Sequence, residues 1–189
     1  LVENYLKDRV EYTVQDEQLG TGHAVMTAEK AINGNVDHVI VLYGDMPFIS
    51  PDSLDRLAKK HLQKDNTITL MTTVVDEFEG WKEGFNKFGR IVRGDDGHIK
   101  KIVEYKDADE KTREIKEVNP SYMCFKSDWL WENLKKLKNN NSQGEYYLTD
   151  LLQMAIDEGK SISSIEIDPK EAMGINTIEN LESAKILCK

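Results

Sequence analysis

The hydrophobic pattern changes period several times along the chain, and each change marks an element. His38 to Tyr43 (HVIVLY) is a continuous run rich in β-branched residues, and Thr67 to Val75 (TITLMTTVV) is a second such β-branched stretch. That pattern predicts strands buried on both faces. Thr21 to about Ile32 carries helical spacing. Ser50-Pro51 supplies an N-cap and a first-turn proline for a helix to about Gln63. Ser127 caps another helix, with Leu130, Trp131, Leu134 and Leu137 at helical intervals. Tyr146 to Glu158 is predicted as the next helix, closed by Gly159, and Thr177 to Leu187 as the last. Leu1 to about Lys7 reads as the end of a helix. Val10 to Gln15, Val118 to Phe125 and Ser161 to Ile167 read as strands. Gly89 to Val92 and Ile99 to Glu104 flank Asp95-Asp96-Gly97, a hairpin signal. Strand–helix alternation predicts an α/β fold with a mainly parallel sheet, and the central hairpin predicts a small β insertion beside it. No internal repeat or low-complexity tract is present.

Length fits one domain. The 189 residues carry 25 Lys and Arg against 34 Asp and Glu, a formal net charge of −9. Hydrophobic residues at 39% supply a core, and the acidic balance argues against a nucleic-acid polymer or an anionic membrane as partner. A small phosphorylated ligand stays compatible, because a metal ion and a few local cations can carry its charge. Cys124 and Cys188 form neither a zinc pattern nor a disulfide framework, which fits a reducing cytoplasm. No run approaches the roughly 20 apolar residues of a membrane span. No secretory signal opens the chain. Leu1-Val2-Glu3 lacks an initiator Met, so the expectation is that the natural N-terminus lies upstream.

Four stretches offer chemistry. Tyr43-Gly44-Asp45-Met46-Pro47 follows the HVIVLY strand, and ligands of parallel α/β sheets sit beyond the carboxyl ends of the strands. A carboxylate there suits Mg²⁺, which takes one or two protein carboxylates and fills its shell with water and phosphates; the same Gly-Asp also suits a plain turn. Gln15 to Ala24 is a glycine-bearing turn opening a helix, suited to an anion or the edge of a base, or simply to starting the helix. Glu104 and Lys106 share one face of a strand end, where a carboxylate could accept from sugar hydroxyls and a Lys could meet phosphate; a solvated charged strand end is the plainer reading. Asn119 and Asn176 are sugar-binding amides, or else turn formers, with Asn176-Thr177 also able simply to cap the last helix. No Ser/His/Asp order, reactive Cys or zinc spacing accompanies them. Phosphoryl transfer needs little acid–base help, because the attacking phosphate is already anionic.

In their order, Glu17 to Val25 (EQLGTGHAV), Leu42 to Pro47 (LYGDMP), Gly89-Arg90-Ile91, Ile102-Val103-Glu104, Val118-Asn119, Gln143 to Asp150 (QGEYYLTD) and Gly174-Ile175-Asn176 resemble one family. It is the uridylyltransferase domain of the bacterial bifunctional N-acetylglucosamine-1-phosphate uridylyltransferase / glucosamine-1-phosphate acetyltransferase. The match runs nearly end to end. It implies a Rossmann-like, doubly wound nucleotide-diphospho-sugar transferase fold, here N-terminally truncated. Residues 1–189 would form a single partial nucleotidyltransferase domain with a sugar-binding β lobe at about 86–125. UTP and N-acetylglucosamine-1-phosphate would be the substrates, Mg²⁺ the cofactor and the cytoplasm the location. The resemblance assigns uracil binding to Gln15, Gln18, Gly20 and Thr21, the sugar side to Tyr43, Gly44, Gly89, Glu104 and Asn119, and Mg²⁺ to Asp45 and Asn176.

Three departures stand out. The family opens with a strand and a Gly-rich loop bearing Arg and Lys, which holds the triphosphate; these residues contain no such loop. Pro120-Ser121 replaces the usual Thr or Ser, then Gly, after the sugar-site Asn. The Asp76–Lys87 link looks long. The hexapeptide-repeat acetyltransferase half has no counterpart in these residues. His38 to Tyr43 is expected inside the sheet. With the first strand missing, apolar surface along it would be exposed, or filled by another chain through self-association. A nucleotidyltransferase for another sugar phosphate, and a non-catalytic sugar-nucleotide-binding piece, are the competing readings.

Overall fold

The computed structural model describes residues 2–32 and 36–187. A short helix α1 (Val2–Leu6) leads through an extended stretch to α2 (Thr21–Ile32) and strand β1 (His38–Val41). Helix α3 (Pro51–Gln63) follows, begun by Ser50, whose side chain accepts from Ser53 N at 3.1 Å. Strand β2 (Ile68–Val74) then crosses the molecule. The β lobe comprises the hairpin β3 (Gly89–Arg93) and β4 (Ile99–Val103), a single helical turn α4 (Glu110–Arg113) and β5 (Glu117–Asn119). Strand β6 (Met123–Lys126), helices α5 (Ser127–Leu134) and α6 (Asp150–Asp157), strand β7 (Ile162–Glu166) and helix α7 (Ile178–Leu187) complete the chain.

The main sheet has the order β1-β6-β2-β7, and the far end of β2 pairs with β5 to start a second sheet, β5-β3-β4. Residues alternate along the strands between two cores. Ile68, Leu70, Met123 and Phe125 pack with α5 and α6, while Met71 and Cys124 pack with Leu57 of α3 and with Phe85 and Tyr122. Two-faced burial explains why β2 shows no apolar–polar alternation, with even its threonines Thr69, Thr72 and Thr73 buried.

The α/β class is as expected, but the pairing is not mainly parallel. Five of the six strand pairings are antiparallel; only β2 with β7 is parallel. β1, β2 and β7 do run the same way, as a strand–helix–strand alternation requires. Strand β6 enters between β1 and β2 in the opposite sense, because the chain returns from the β lobe through a turn at Pro120-Ser121 instead of a crossover helix. That turn breaks the predicted Val118–Phe125 strand in two, with Ser121 at φ 63°.

Three further expectations change. Val10 to Gln15 is extended but joins no sheet. Tyr146 to Thr149 is not helical, because its backbone serves the turn before α2: Tyr146 N donates to Leu19 O (2.8 Å) and Gly22 N to Tyr146 O (2.8 Å). Gly20, at φ 107°, and Gly22 admit this contact, since a Cβ on either would lie 2.8 or 2.9 Å from Tyr146 O. Finally, β1 lies at the edge of the sheet among the described residues, not inside it, because no described segment supplies a strand on that side. Ile40 and Leu42 are 40% and 42% exposed there. A groove of about 390 Å³ runs between β1 and Ala24, Val25 and Ala28 of α2.

Near the start of β1 a buried polar chain closes the sheet. Asn66 Nδ2 donates to Thr69 Oγ1 (3.0 Å), which leaves the Thr69 hydroxyl proton for His61 Nδ1 (2.9 Å). His61 therefore holds its own proton on Nε2, facing His38 Nδ1 at 3.1 Å. Burial, then His38 and Lys126, hold His61 down to a pKa of about 4. The folded value lies below the unfolded one of ~6.5, so this stabilisation is full above pH ~6.5 and is lost as pH falls towards 4. It amounts to at most about 3 kcal/mol at ~1.4 kcal/mol per unit. Urea midpoints at pH 7 and pH 4 should fall further apart in the natural chain than in His61→Gln; equal falls would remove His61 from the acid response.

Candidate functional site

The sheet's mouth and the β lobe enclose a polar pocket of about 210 Å³. Tyr43 comes from the end of β1, Gly89 from the start of β3, Glu104 from the end of β4, Asn119 from the end of β5 and Thr21 from the start of α2. These residues are scattered over some hundred positions of sequence, and the fold brings their side of each element to one place.

Glu104 is the most constrained. Its Oε1 accepts from Thr149 Oγ1 at 2.8 Å. Burial raises its pKa above the ordinary Glu value, partly offset by the Thr149 hydrogen bond, with Asp150, Asp107 and Glu145 raising it further. Gly89 makes room for it: a Cβ there would stand 2.9 Å from Ile102 Cγ2 and 3.5 Å from both Glu104 carboxylate oxygens. Tyr43 is also raised, chiefly by burial, while the Ser121 and Thr21 hydroxyls lower it. Asn119 lines the pocket, and its amide is partly engaged: Oδ1 accepts from Ser121 N (2.9 Å) and Nδ2 donates to Ser121 Oγ (3.0 Å). Pro120-Ser121 thus uses one donor and one acceptor site of the Asn that the resemblance assigns to sugar, and leaves one of each.

Gly44 lies apart from this pocket, on the wall of the apolar groove beside β1. Gln15 is turned inward, its Nε2 reaching Gly20 O (3.3 Å) and His23 Nδ1 (3.0 Å), so it braces the turn that carries Gly20 and Thr21. Gln18 is exposed on that turn. Lys106 sits in a turn beyond the strand end and donates to Gln143 Oε1.

Asp45 and Asn176 are separated by most of the chain and meet. Ile175 N donates to Asp45 O at 2.8 Å. Both side chains flank the spot a Cβ on Gly174 would take, Asn176 Nδ2 at 3.2 Å and Asp45 Oδ2 at 3.9 Å. Thr177, not Asn176, caps α7: its Oγ1 accepts from Asn180 N at 3.1 Å. One carboxylate and one amide at solvent's edge, with no cluster of three acidic, His or Cys ligands among the described residues, is a donor set suited to a hydrated hard cation.

Some residues of the site carry no warning in the sequence pattern. Thr149, Tyr147 and Gln143 enter the pocket because residues 143–149 form turns and irregular backbone there instead of a helix. Arg90 is fully buried, an unexpected place for a guanidinium at a strand start; the apolar neighbours that hide it, Phe78 and Tyr105, are remote in sequence.

Known proteins give a consistent account. A relative from Acetivibrio thermocellus, bifunctional protein GlmU, is 41% identical over 188 residues, covering 98% of this chain and 39% of its own. Bifunctional protein GlmU of Clostridium acetobutylicum is 41% identical over 171 residues, covering 90% of this chain and 36% of its own. The chain therefore spans well under half the length of these relatives. A crystal structure described as a glucose-1-phosphate thymidylyltransferase from Bacillus anthracis, in complex with a sucrose, superposes with a TM-score of 0.72 over 98% of this chain and 70% of that one. At 18% identity it establishes a shared fold. Among the described residues no helix is long and apolar enough to cross a membrane. The nucleotidyl transferase family model matches residues 2–170, and the chain belongs to that family.

Proposed function

We propose that this chain is the uridylyl-transferring part of an enzyme that moves UMP from UTP to N-acetylglucosamine-1-phosphate, giving UDP-N-acetylglucosamine and pyrophosphate. The observation that carries the reading is the pocketed Glu104, held by Thr149 and given space by Gly89. A half-buried carboxylate is a good acceptor for sugar hydroxyls, and a polar pocket with a few fixed groups suits a small ligand. The 41% identity to bifunctional protein GlmU supports uridine and N-acetylglucosamine over other nucleotides and sugars.

In this reading a phosphate oxygen of the sugar phosphate attacks the α-phosphorus of UTP. The new P–O bond forms in line with the breaking one, and pyrophosphate leaves with the electron pair. Glu104 and the Tyr43 side of the pocket orient the sugar, so that the attack is effectively intramolecular. The turn from Gln18 to Thr21 receives the uracil edge, and Gln15 keeps that turn in shape. Asn119, steadied by its two bonds to Ser121, offers its remaining N–H and lone pair to the sugar. Asp45 and Asn176 would hold Mg²⁺, which supplies neutralisation of the phosphate charges when bound. Cys124 is a buried free thiol, in keeping with a cytoplasmic setting.

Binding of UDP-N-acetylglucosamine tests this reading. A raised folded pKa means Glu104 is protonated at pH values where an ordinary Glu, near 4.3, is still ionised. Affinity should therefore fall as pH descends through that raised value, starting above the ordinary carboxylate range. Glu104→Gln should bind roughly 10-fold or more weakly at pH 7 and lose this limb, while the ligand's own titration stays in both curves. Equal affinities and parallel pH curves would take Glu104 out of the sugar site.

A further inference from the structure

The sugar pocket is acid-walled. Glu104 and Glu145 line it, and Lys87 is its one Lys or Arg. A second cleft, of about 490 Å³, continues from the same place past Trp81 and Gly174 to Asn176. Lys87 is again the one Lys or Arg on its wall, and Lys87 and Phe88 border both cavities. Lys87 therefore stands where the sugar pocket opens towards the Asp45–Asn176 pair.

Its backbone is fixed and its ammonium is free. The buried Arg90 guanidinium grips the chain on both sides of Lys87: Nη2 donates to Asn86 O (3.1 Å) and Asn86 Oδ1 (3.0 Å), and Nη1 to Phe88 O. Nε donates to Arg113 O at 3.1 Å, and the guanidinium lies over the Phe78 ring at 4.7 Å. Lys87 itself is exposed and, among the described residues, enters no ion pair, whereas nearby Lys82 is paired with Asp76. A mobile point charge on a rigid base suits a phosphate, which accepts from any direction. In a chain of net charge −9, a phosphate entering between Glu104, Glu145 and Asp45 meets repulsion unless a local cation offsets it.

We infer that Lys87 holds the phosphate of the sugar-phosphate substrate: with the sugar seated against Glu104, the C1 phosphate rests on the Lys87 ammonium, at the end of the pocket that leads to Asn176. This rests on the sugar site proposed above and adds the group that makes that site select a phosphorylated sugar. Lys87 acts by binding and placing the nucleophile; it transfers no proton.

Calorimetric titration of the natural chain, Lys87→Ala and Lys87→Arg with N-acetylglucosamine-1-phosphate, N-acetylglucosamine and inorganic pyrophosphate separates the outcomes. The natural chain should prefer the phosphorylated sugar, and Lys87→Ala should weaken that ligand roughly 10-fold or more while leaving the free sugar unchanged. Lys87→Arg should restore most of the preference. Unchanged sugar-phosphate binding in Lys87→Ala overturns the assignment, and so does a loss confined to pyrophosphate, which would place Lys87 on the nucleotide's phosphates. Lys87→Ala losing both sugars equally, with an unchanged melting temperature, also overturns it. A natural chain that binds neither sugar overturns the sugar site itself, a result distinct from any change between variants.

Discussion

Offered UTP, N-acetylglucosamine-1-phosphate and Mg²⁺, these 189 residues alone should release pyrophosphate at least about 10⁴-fold more slowly than an enzyme that also carries an Arg- and Lys-bearing glycine-rich loop. The triphosphate brings close to four negative charges. Of the residues lining the sugar pocket and the cleft beside it, Lys87 alone is a Lys or Arg, against Glu83, Glu104, Glu145 and Glu179. Uracil contacts around Gln18 and Thr21, and sugar contacts at Glu104, bind substrate and transition state alike, so they leave the barrier of the bound complex unchanged. Donors aimed at developing charge are worth factors of ~10² to 10³ each, and a loop of backbone N–H groups with two cations supplies several. A coupled pyrophosphate assay measures the rate. Turnover within about tenfold of the loop-bearing enzyme would show that loop to be dispensable.

Asp45→Ala, made in a polypeptide that carries the loop as well, should lower turnover by roughly 10²- to 10³-fold. Asp45 is exposed and its backbone carbonyl, not its side chain, accepts from Ile175 N, so the substitution leaves the fold intact. Its carboxylate is the charged member of the pair with Asn176; without it an amide alone faces the cation, and hard divalent ions bind weakly without a carboxylate. Raising Mg²⁺ should recover part of the rate. Normal turnover at ordinary Mg²⁺, with an unchanged melting temperature, would remove Asp45 from the mechanism.

Periodicity reports burial, and it reported burial correctly for β2 but not for HVIVLY, whose Ile40 and Leu42 are exposed at the sheet edge. Ile68, Leu70, Met123 and Phe125 face one core and Met71 and Cys124 the other, so β2 and β6 carry apolar side chains on both faces and were legible as strands. Ser50-Pro51 and the Asp95-Asp96-Gly97 turn are local chemistry, and both stand where expected. Partners and direction are not local. Nothing in MCFK says that it inserts antiparallel between β1 and β2. The QGEYYLTD stretch has helical spacing, yet its backbone donors and acceptors are claimed by Leu19 and Gly22, over a hundred residues away. The site shows the same division. Tyr43, Gly89, Glu104 and Asn119 are named by short strings and converge in one pocket, whereas Gly44 faces the groove and Gln15 braces a turn. Each of these contacts follows from a hydrogen bond or a backbone direction that no string records.

Titration of the chain with UDP-N-acetylglucosamine and with dTDP-glucose, in the same buffer with Mg²⁺, tests most directly whether this fold is turned to uridine and N-acetylglucosamine. The account predicts that UDP-N-acetylglucosamine binds at least about tenfold more tightly, because the pocket's fixed acceptors match its sugar and the Gln18–Thr21 turn its base. Tighter binding of dTDP-glucose, equal binding of the two, or binding of neither would contradict it.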